Sequence, residues 1–298
     1  MYRFRTTVKA VVGTSSLVLA ILVAPTAGAA NSAGSAPGVA RHAAATTAAD
    51  QQKVRDYWTP DRMRRAIPRE EVRAITPMAK PGATSGTAVR VPAQPQLGKV
   101  YFTMDGVNYV CSGTATQSTN ADVVTTAGHC VNEGPGAFAT NFAFVPAYEN
   151  GSRPYGTWVA EQLLTTTQWA TSGDFNYDVG FAVMAEQSTK SLTDVTGSYP
   201  IAFNLGYRLQ FKAYGYPHAA PYDGQYLYMC SGKSGRDIWT LDHSLKCTMT
   251  GGSSGGGWIT NGKLNSLNSF KYSNNPNVMY GPYFGNAIAA VYGTAATS

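Results

Sequence analysis

Past residue 97 the apolar positions fall in short blocks, often alternating with polar ones and closed by Gly, Pro or Asn. Lys99-Val-Tyr-Phe-Thr-Met104, then Asp105-Gly106, then Val107-Asn-Tyr-Val110 reads as a β-hairpin about a two-residue turn. Asp122 to Thr126 is another short strand, and further strands are expected over 142–148, 156–164, 179–184, 209–214, 225–230, 257–260, 263–271 and 286–292. No long helical pattern intervenes and no fixed period repeats. Many short strands on these terms predict an all-β sandwich or barrel domain.

Upstream the texture differs. Val54, Tyr57, Trp58, Met63, Ala66 and Ile67 are spaced by charged residues, which predicts one or two short amphipathic helices. Thr59-Pro60-Asp61 supplies a helix start: Thr59 as N-cap, Pro60 at the first helical position, Asp61 at the positive end of the dipole. Pro68, Pro77 and Pro81 interrupt the pattern. Residues 31–49 carry almost no large apolar side chain and read as flexible, and 76–97 read as a linker. At the front, Arg3, Arg5 and Lys9 precede the apolar run Val11 to Ala24 and the small residues Ala27-Gly28-Ala29-Ala30, the pattern of a signal peptide. The expected organisation is a signal peptide over 1–30, a propeptide and linker over 31–90, and a folded domain over 91–298.

Charge supports that division. The net +6 arises before residue 91, where 13 Lys and Arg oppose 5 Asp and Glu; the remaining residues hold 10 and 12, a net of −2. The folded domain therefore has no basic field to attract nucleic acid. Its low charge and abundant Gly and Tyr suit a secreted β protein. Export permits disulfides. The four cysteines admit three pairings, of which the sequential one, Cys111–Cys130 with Cys230–Cys247, closes two local loops. The Cys-x-x-Cys spacing of a zinc site is absent, so neither metal nor cofactor is expected.

Three motifs carry the chemistry. Thr125-Thr126-Ala127-Gly128-His129-Cys130 ends a strand on an imidazole, the group suited to moving protons near neutral pH. Tyr177-Asp178-Val179-Gly180-Phe181-Ala182-Val183 places an acid at the head of an apolar strand. Thr250-Gly251-Gly252-Ser253-Ser254-Gly255-Gly256-Gly257-Trp258 is a Gly/Ser run bounded by Cys247 and Trp258, hence inside a folded region. Its glycines let two N–H groups converge on one point, and losing one such oxyanion donor typically costs on the order of 100–1,000-fold in rate.

Taken in order, these motifs resemble the chymotrypsin-like serine endopeptidases, over roughly residues 98–295. The separations of 49 and 76 residues suit a compact bacterial member, and Tyr214-Gly215-Tyr216-Pro217 is similar to a strand end of the glutamyl-endopeptidase branch. The resemblance implies two six-stranded antiparallel β-barrels with the site in the cleft between them. It implies His129 as general base, Asp178 as its orienting acid, Ser254 as nucleophile, and the N–H groups of Gly252 and Ser254 as oxyanion hole. It makes Cys111–Cys130 the bridge that tethers the histidine loop. The expected partners are a peptide or protein substrate and the chain's own propeptide, as inhibitor or folding aid. A secreted, monomeric endopeptidase that binds neither nucleic acid nor membrane is the resulting expectation.

The sequence departs from the family at three places. Ser253 stands where the animal enzymes carry the Asp that pairs with a freed N-terminus, so activation is expected to proceed by unblocking the cleft. Thr248 stands where trypsin-like enzymes carry an Asp, and no acid follows Asp242, so Arg/Lys preference is not supported. Asn268 falls where the glutamyl branch uses a His. Thr248 and Asn268 are the candidate substrate-binding residues; His218 and His243 read more simply as loop histidines. An α/β-hydrolase esterase, which places its histidine last, fits the motif order less well. A barrel that binds without catalysis leaves the ordered trio without a task.

Overall fold

The computed structural model describes residues 1, 2, 7, 38–69, 71–73 and 86–298. The chain divides into two compact units, residues 1–34 and residues 35–298. The expected signal peptide, apart from residues 1, 2 and 7, and residues 76–85 of the expected linker lie outside the described residues. No helix among the described residues is long and apolar enough to cross a membrane.

Residues 38–69 form regular elements. β1 (Val39–Ala43) leads to α1 (Ala48–Tyr57), α2 (Pro60–Arg65) and β2 (Ile67–Pro68). As expected, Thr59 caps α2, accepting from the Arg62 N–H, with Pro60 in its first turn. The expectation of flexibility over 31–49 fails for its described part. β1 pairs antiparallel with β9 (Trp158–Thr166) from Val39 opposite Thr166 to Ala43 opposite Gln162. Strand addition draws on main-chain hydrogen bonds and so needs no large side chains. Trp58, buried, anchors the helices by donating from its indole to the Asn141 carbonyl at 2.6 Å.

β3 (Glu71–Arg73) and β4 (Val89–Arg90) precede the first barrel. Its strands are β5 (Leu97–Met104), β6 (Val107–Thr116), β7 (Val123–Thr126), β8 (Thr140–Pro146), β9 and β10 (Gly180–Met184). They pair in the order β9-β10-β7-β6-β5-β8, and β8 returns to β9 to close the barrel. Asp105 and Gly106, at φ 47° and 73°, make the predicted hairpin turn between β5 and β6. Val100, Phe102, Phe144, Leu163 and Phe181 fill the core.

The second half contains β11 (Gln210–Gly215), β12 (Tyr228–Lys233), β13 (Gly235–Arg236), β14 (His243–Lys246), β15 (Gly257–Thr260), β16 (Lys263–Leu267), β17 (Phe270–Tyr272) and β18 (Asn275–Gly281). They form two five-stranded sheets, β16-β15-β11-β12-β4 and β13-β14-β18-β17-β3. The Cys230–Cys247 disulfide links β12 of one sheet to the end of β14 in the other, and Cys111–Cys130 ties β6 to the turn after β7. Each closes a loop of a size that stabilises by about 3 kcal/mol in the chain-entropy model.

Residues 286–292, expected as a strand, lie in a terminal helix, Asn286–Ala295. Ile, Val and Tyr suggest a strand, but Ile288, Val291 and Ala295 are the buried positions, at helical spacing. Tyr292 of this helix packs on Phe181 of the first barrel, ring centroids 5.9 Å apart.

His243, on β14, is fully buried among Tyr207, Phe211 and Trp258, and burial lowers its pKa from 6.5 to about 4. The unfolded chain binds the proton more readily, so stability is full above pH 6.5 and declines as the pH falls towards 4, by up to about 3 kcal/mol from this group. His243→Phe is expected to flatten that part of the stability–pH curve. Urea unfolding of both proteins between pH 4 and 7 checks it; parallel curves would refute the assignment.

Candidate active site

His129 sits in a single 3₁₀ turn, Gly128–Cys130, directly after β7. Asp178 follows a second 3₁₀ turn, Phe175–Tyr177, and heads β10, which pairs with β7. Adjacent antiparallel strands thus carry the two residues to the same end of the barrel. Asp178 Oδ1 accepts from the His129 backbone N–H at 2.8 Å, and Oδ2 lies 2.9 Å from His129 Nδ1. Both side chains are fully buried. Gly128 is required here, since a Cβ would come within 2.9 Å of both Asp178 Oδ1 and the Trp169 ring.

A second donor reaches the carboxylate: the Ser269 hydroxyl bonds Asp178 Oδ2. Ser269 precedes β17 in the second half, so the acid is held from both sides of the cleft. The sequence candidate is its neighbour Asn268, because a serine at a strand entrance carries no signal of its own.

Ser254 lies in the turn before β15. Gly252 occupies φ 93°, where a side chain is strained, and a Cβ there would lie 2.9 Å from the Tyr216 carbonyl. The first barrel grips this turn through Ser112. Its N–H donates to the Ser254 carbonyl at 2.7 Å, and its hydroxyl donates to the Gly252 carbonyl and accepts from the Tyr216 N–H, both at 2.9 Å. Ser112 was also not singled out from sequence; only its place beside the Cys111–Cys130 bridge hints at a role. Ser254 and Ser269 line one small cavity together with Thr250, Ser253, Phe270 and Lys271. The Ser254 hydroxyl donates to the main-chain carbonyl of Arg69 at 3.1 Å.

The two candidate substrate-binding residues lie elsewhere. Asn268 is fully buried; its amide donates to the Tyr214 and Ser253 carbonyls at 2.8 and 2.9 Å and its oxygen accepts from the Trp258 indole at 2.7 Å. Its polar atoms are thus engaged in holding the Ser253–Ser254 turn. The Thr248 hydroxyl accepts from the Ala88 N–H at 2.9 Å and bonds the Tyr222 hydroxyl at 3.0 Å. Neither residue lines the cavity beside Ser254. His218 stands on a loop behind Gly252, and burial lowers its pKa.

One grouping of metal-ligand residue types occurs among the described residues, Cys111, His129 and Cys130. Both cysteines are spent in a 2.05 Å disulfide and have no thiolate to offer, so these residues do not fit a metal centre.

A closed antiparallel barrel joined to a second β unit, with a buried His–Asp pair whose partner Ser269 shares a cavity with a Gly-rich serine turn, defines a chymotrypsin-fold serine protease. Among solved structures, the chain is similar to the protease Anisep from Arthrobacter nicotinovorans, with 46% identity, TM-score 0.69, and coverage of 71% of this chain and 100% of that one. It is similar to a thermostable serine protease from an extremophilic microorganism at 42% identity and TM-score 0.67, covering 69% and 98%. A Glu endopeptidase shares the fold at 18% identity and TM-score 0.60, covering 72% and 98%. The chain belongs to the bacterial chymotrypsin-fold serine proteases, endopeptidases of the hydrolase class. An extracellular metalloprotease of Bacillus subtilis matches at 35% identity over 72 residues, 24% of this chain; the match spans only 22% of that protein's length. No family model matches.

Proposed function

We propose that this chain is a secreted serine endopeptidase, made as a precursor, that cleaves peptide bonds through Ser254, His129 and Asp178. The His129 Nδ1 to Asp178 contact of 2.9 Å carries the reading, supported by Ser269, which bonds the same carboxylate and lines a cavity with Ser254. Asp178 holds the imidazole in the tautomer with a proton on Nδ1, which leaves Nε2 to take the Ser254 proton as the hydroxyl attacks. The N–H groups of Gly252 and Ser254 receive the oxyanion, and His129 returns the proton to the leaving amine. Water then repeats the sequence on the acyl-enzyme. A fluorophosphonate is expected to modify Ser254 in the matured enzyme; a folded enzyme that resists labelling would favour a binding protein.

Two geometric features support a precursor. The Ser254 hydroxyl is engaged by the Arg69 carbonyl, and the upstream chain crosses the site between two edge pairings. β2 runs parallel to β6, with Ile67 opposite Tyr109, and β3 runs parallel to β17, with Glu71 opposite Phe270. The chain thus passes from the His129 half to the Ser254 half. A productive substrate runs the other way, because its leaving amine must lie on the side of His129, which protonates it. The blocking segment occupies the cleft in reverse and presents no bond in the cleavable sense.

Residues 86–91 stay with the enzyme in this reading: β4 pairs with β12, and Val91 donates to the Leu227 carbonyl at 2.9 Å. Maturation therefore falls within 74–85, upstream of the boundary at 90 expected from composition. Tethering supplies an effective concentration on the order of mM, so the segment is expected to inhibit more strongly in cis than the same peptide does in trans. Enzymes beginning at several positions within 74–86 are expected to be about equally active. Activity that depends sharply on the first residue would point instead to an N-terminal ion-pair switch.

The disulfides and the expected leader support export. Detection of the matured protein in culture medium, with a new N-terminus, tests it.

A further inference from the structure

An oxyanion hole works only if the Gly251–Gly252 peptide keeps one orientation. In a trans peptide the C=O and N–H point opposite ways, so whatever holds the Gly251 carbonyl on one side aims the Gly252 N–H to the other. The Gly251 carbonyl accepts from the His218 N–H at 2.7 Å and the Ala219 N–H at 3.2 Å. Both donors belong to the loop 217–224, which lies so close that a Cβ on Gly252 would be 2.8 Å from His218 Cβ. The Thr250 hydroxyl donates to the Ala219 carbonyl at 2.6 Å, and the loop closes through the Gly224 N–H to the Pro217 carbonyl at 2.9 Å.

Lys99 reaches this loop from β5 in the other half of the molecule. Its ammonium donates to the Gly224 carbonyl at 2.9 Å and lies 4.6 Å from the Tyr148 ring and 5.2 Å from the Tyr101 ring. Lys99 is 1% exposed and makes no ion pair among the described residues. Burial, partly offset by Asp223, brings its pKa down to about 7. Burying an ammonium without a carboxylate is costly, and a methionine would fill the same space without that cost. Packing alone therefore does not explain a lysine here. What the lysine adds is a donor that spans from the first barrel to the loop behind the oxyanion turn. Next to it, the Tyr148 hydroxyl donates to Gln225 Oε1 at 2.8 Å and pins the same stretch.

We propose that Lys99 is a positioning residue for the oxyanion hole: by holding Gly224 it seats the 217–224 loop, and that loop aims the Gly252 N–H. This role rests on the catalytic assignment of Gly252 and Ser254.

The test uses enzyme matured from the full chain, with a peptide substrate and a peptide aldehyde, whose tetrahedral adduct places an oxyanion in the hole. Lys99→Met is expected to lower kcat about tenfold, a fraction of the 100–1,000-fold of losing a donor outright, with KM within about twofold. Aldehyde affinity falls by the same factor as kcat/KM. An unchanged kcat, a change confined to KM, or aldehyde affinity that does not follow kcat/KM overturns the proposal. Tyr148→Phe covers the case in which Lys99→Met does not fold: kcat and aldehyde affinity fall together by a few-fold, and no change in either overturns the coupling of the loop to the hole. Failure of the underlying catalytic assignment shows separately, as wild-type enzyme that forms no aldehyde adduct at Ser254.

Discussion

Ser254→Ala is expected to lower kcat for peptide hydrolysis by a factor on the order of 10⁶, with folding intact. The hydroxyl is what the substitution removes. The hydrogen bond from the Ser112 N–H to the Ser254 carbonyl and the backbone donors of the turn all remain. The hydroxyl's own hydrogen bond, to the Arg69 carbonyl, would leave with the upstream segment on the proposed maturation. The neighbouring hydroxyl makes the control. Ser253 donates to the Thr250 carbonyl at 2.7 Å and so belongs to the turn. Its replacement by alanine is expected to change kcat by about tenfold or less, as one neutral hydrogen bond allows. Steady-state kinetics with fluorophosphonate labelling of both variants decides the matter. Labelling that survives Ser254→Ala and vanishes in Ser253→Ala would move the nucleophile by one position.

Asp178→Asn is expected to cost about 10⁴ in kcat, the loss seen when an amide replaces the acid of such a triad. Three donors converge on this carboxylate: the His129 N–H, His129 Nδ1 and the Ser269 hydroxyl. An ionised carboxylate accepts all three, but an amide has one accepting oxygen and must turn its NH₂ towards a donor. If the NH₂ faces His129 Nδ1, the imidazole proton moves to Nε2, and the ring can no longer accept from Ser254. Substrate contacts are untouched, so the loss appears in kcat with KM nearly unchanged. Near-UV circular dichroism of the variant checks that the site remains packed. A fall in kcat of less than about tenfold would remove Asp178 from the triad.

Much of this molecule is legible from local sequence. Asp105-Gly106 predicts a hairpin because its positive-φ turn is a property of those two residues. Thr59-Pro60 predicts a helix start because capping acts within one turn. His129, Asp178 and Ser254 stand out because each lies in a short segment whose neighbours suit its task. Other features have no local signal. Val39–Ala43 is a strand only because β9 offers an edge to it. Residues 286–292 are helical because one face meets the first barrel, which overrides their β-favouring composition.

The candidate reacting residues, their order and the β character of the chain can be read from the sequence, because they follow from side-chain chemistry and dihedral preference over a few residues. The three-dimensional arrangement was needed to show that Ser269 and Ser112 brace the site, that Asn268 is spent on the backbone and that Lys99 reaches the loop behind Gly252. The same holds for the parallel pairings of residues 67–68 with β6 and 71–73 with β17. Each of these joins residues far apart in the chain. Their contact depends on barrel closure and strand register, which no short stretch of sequence encodes.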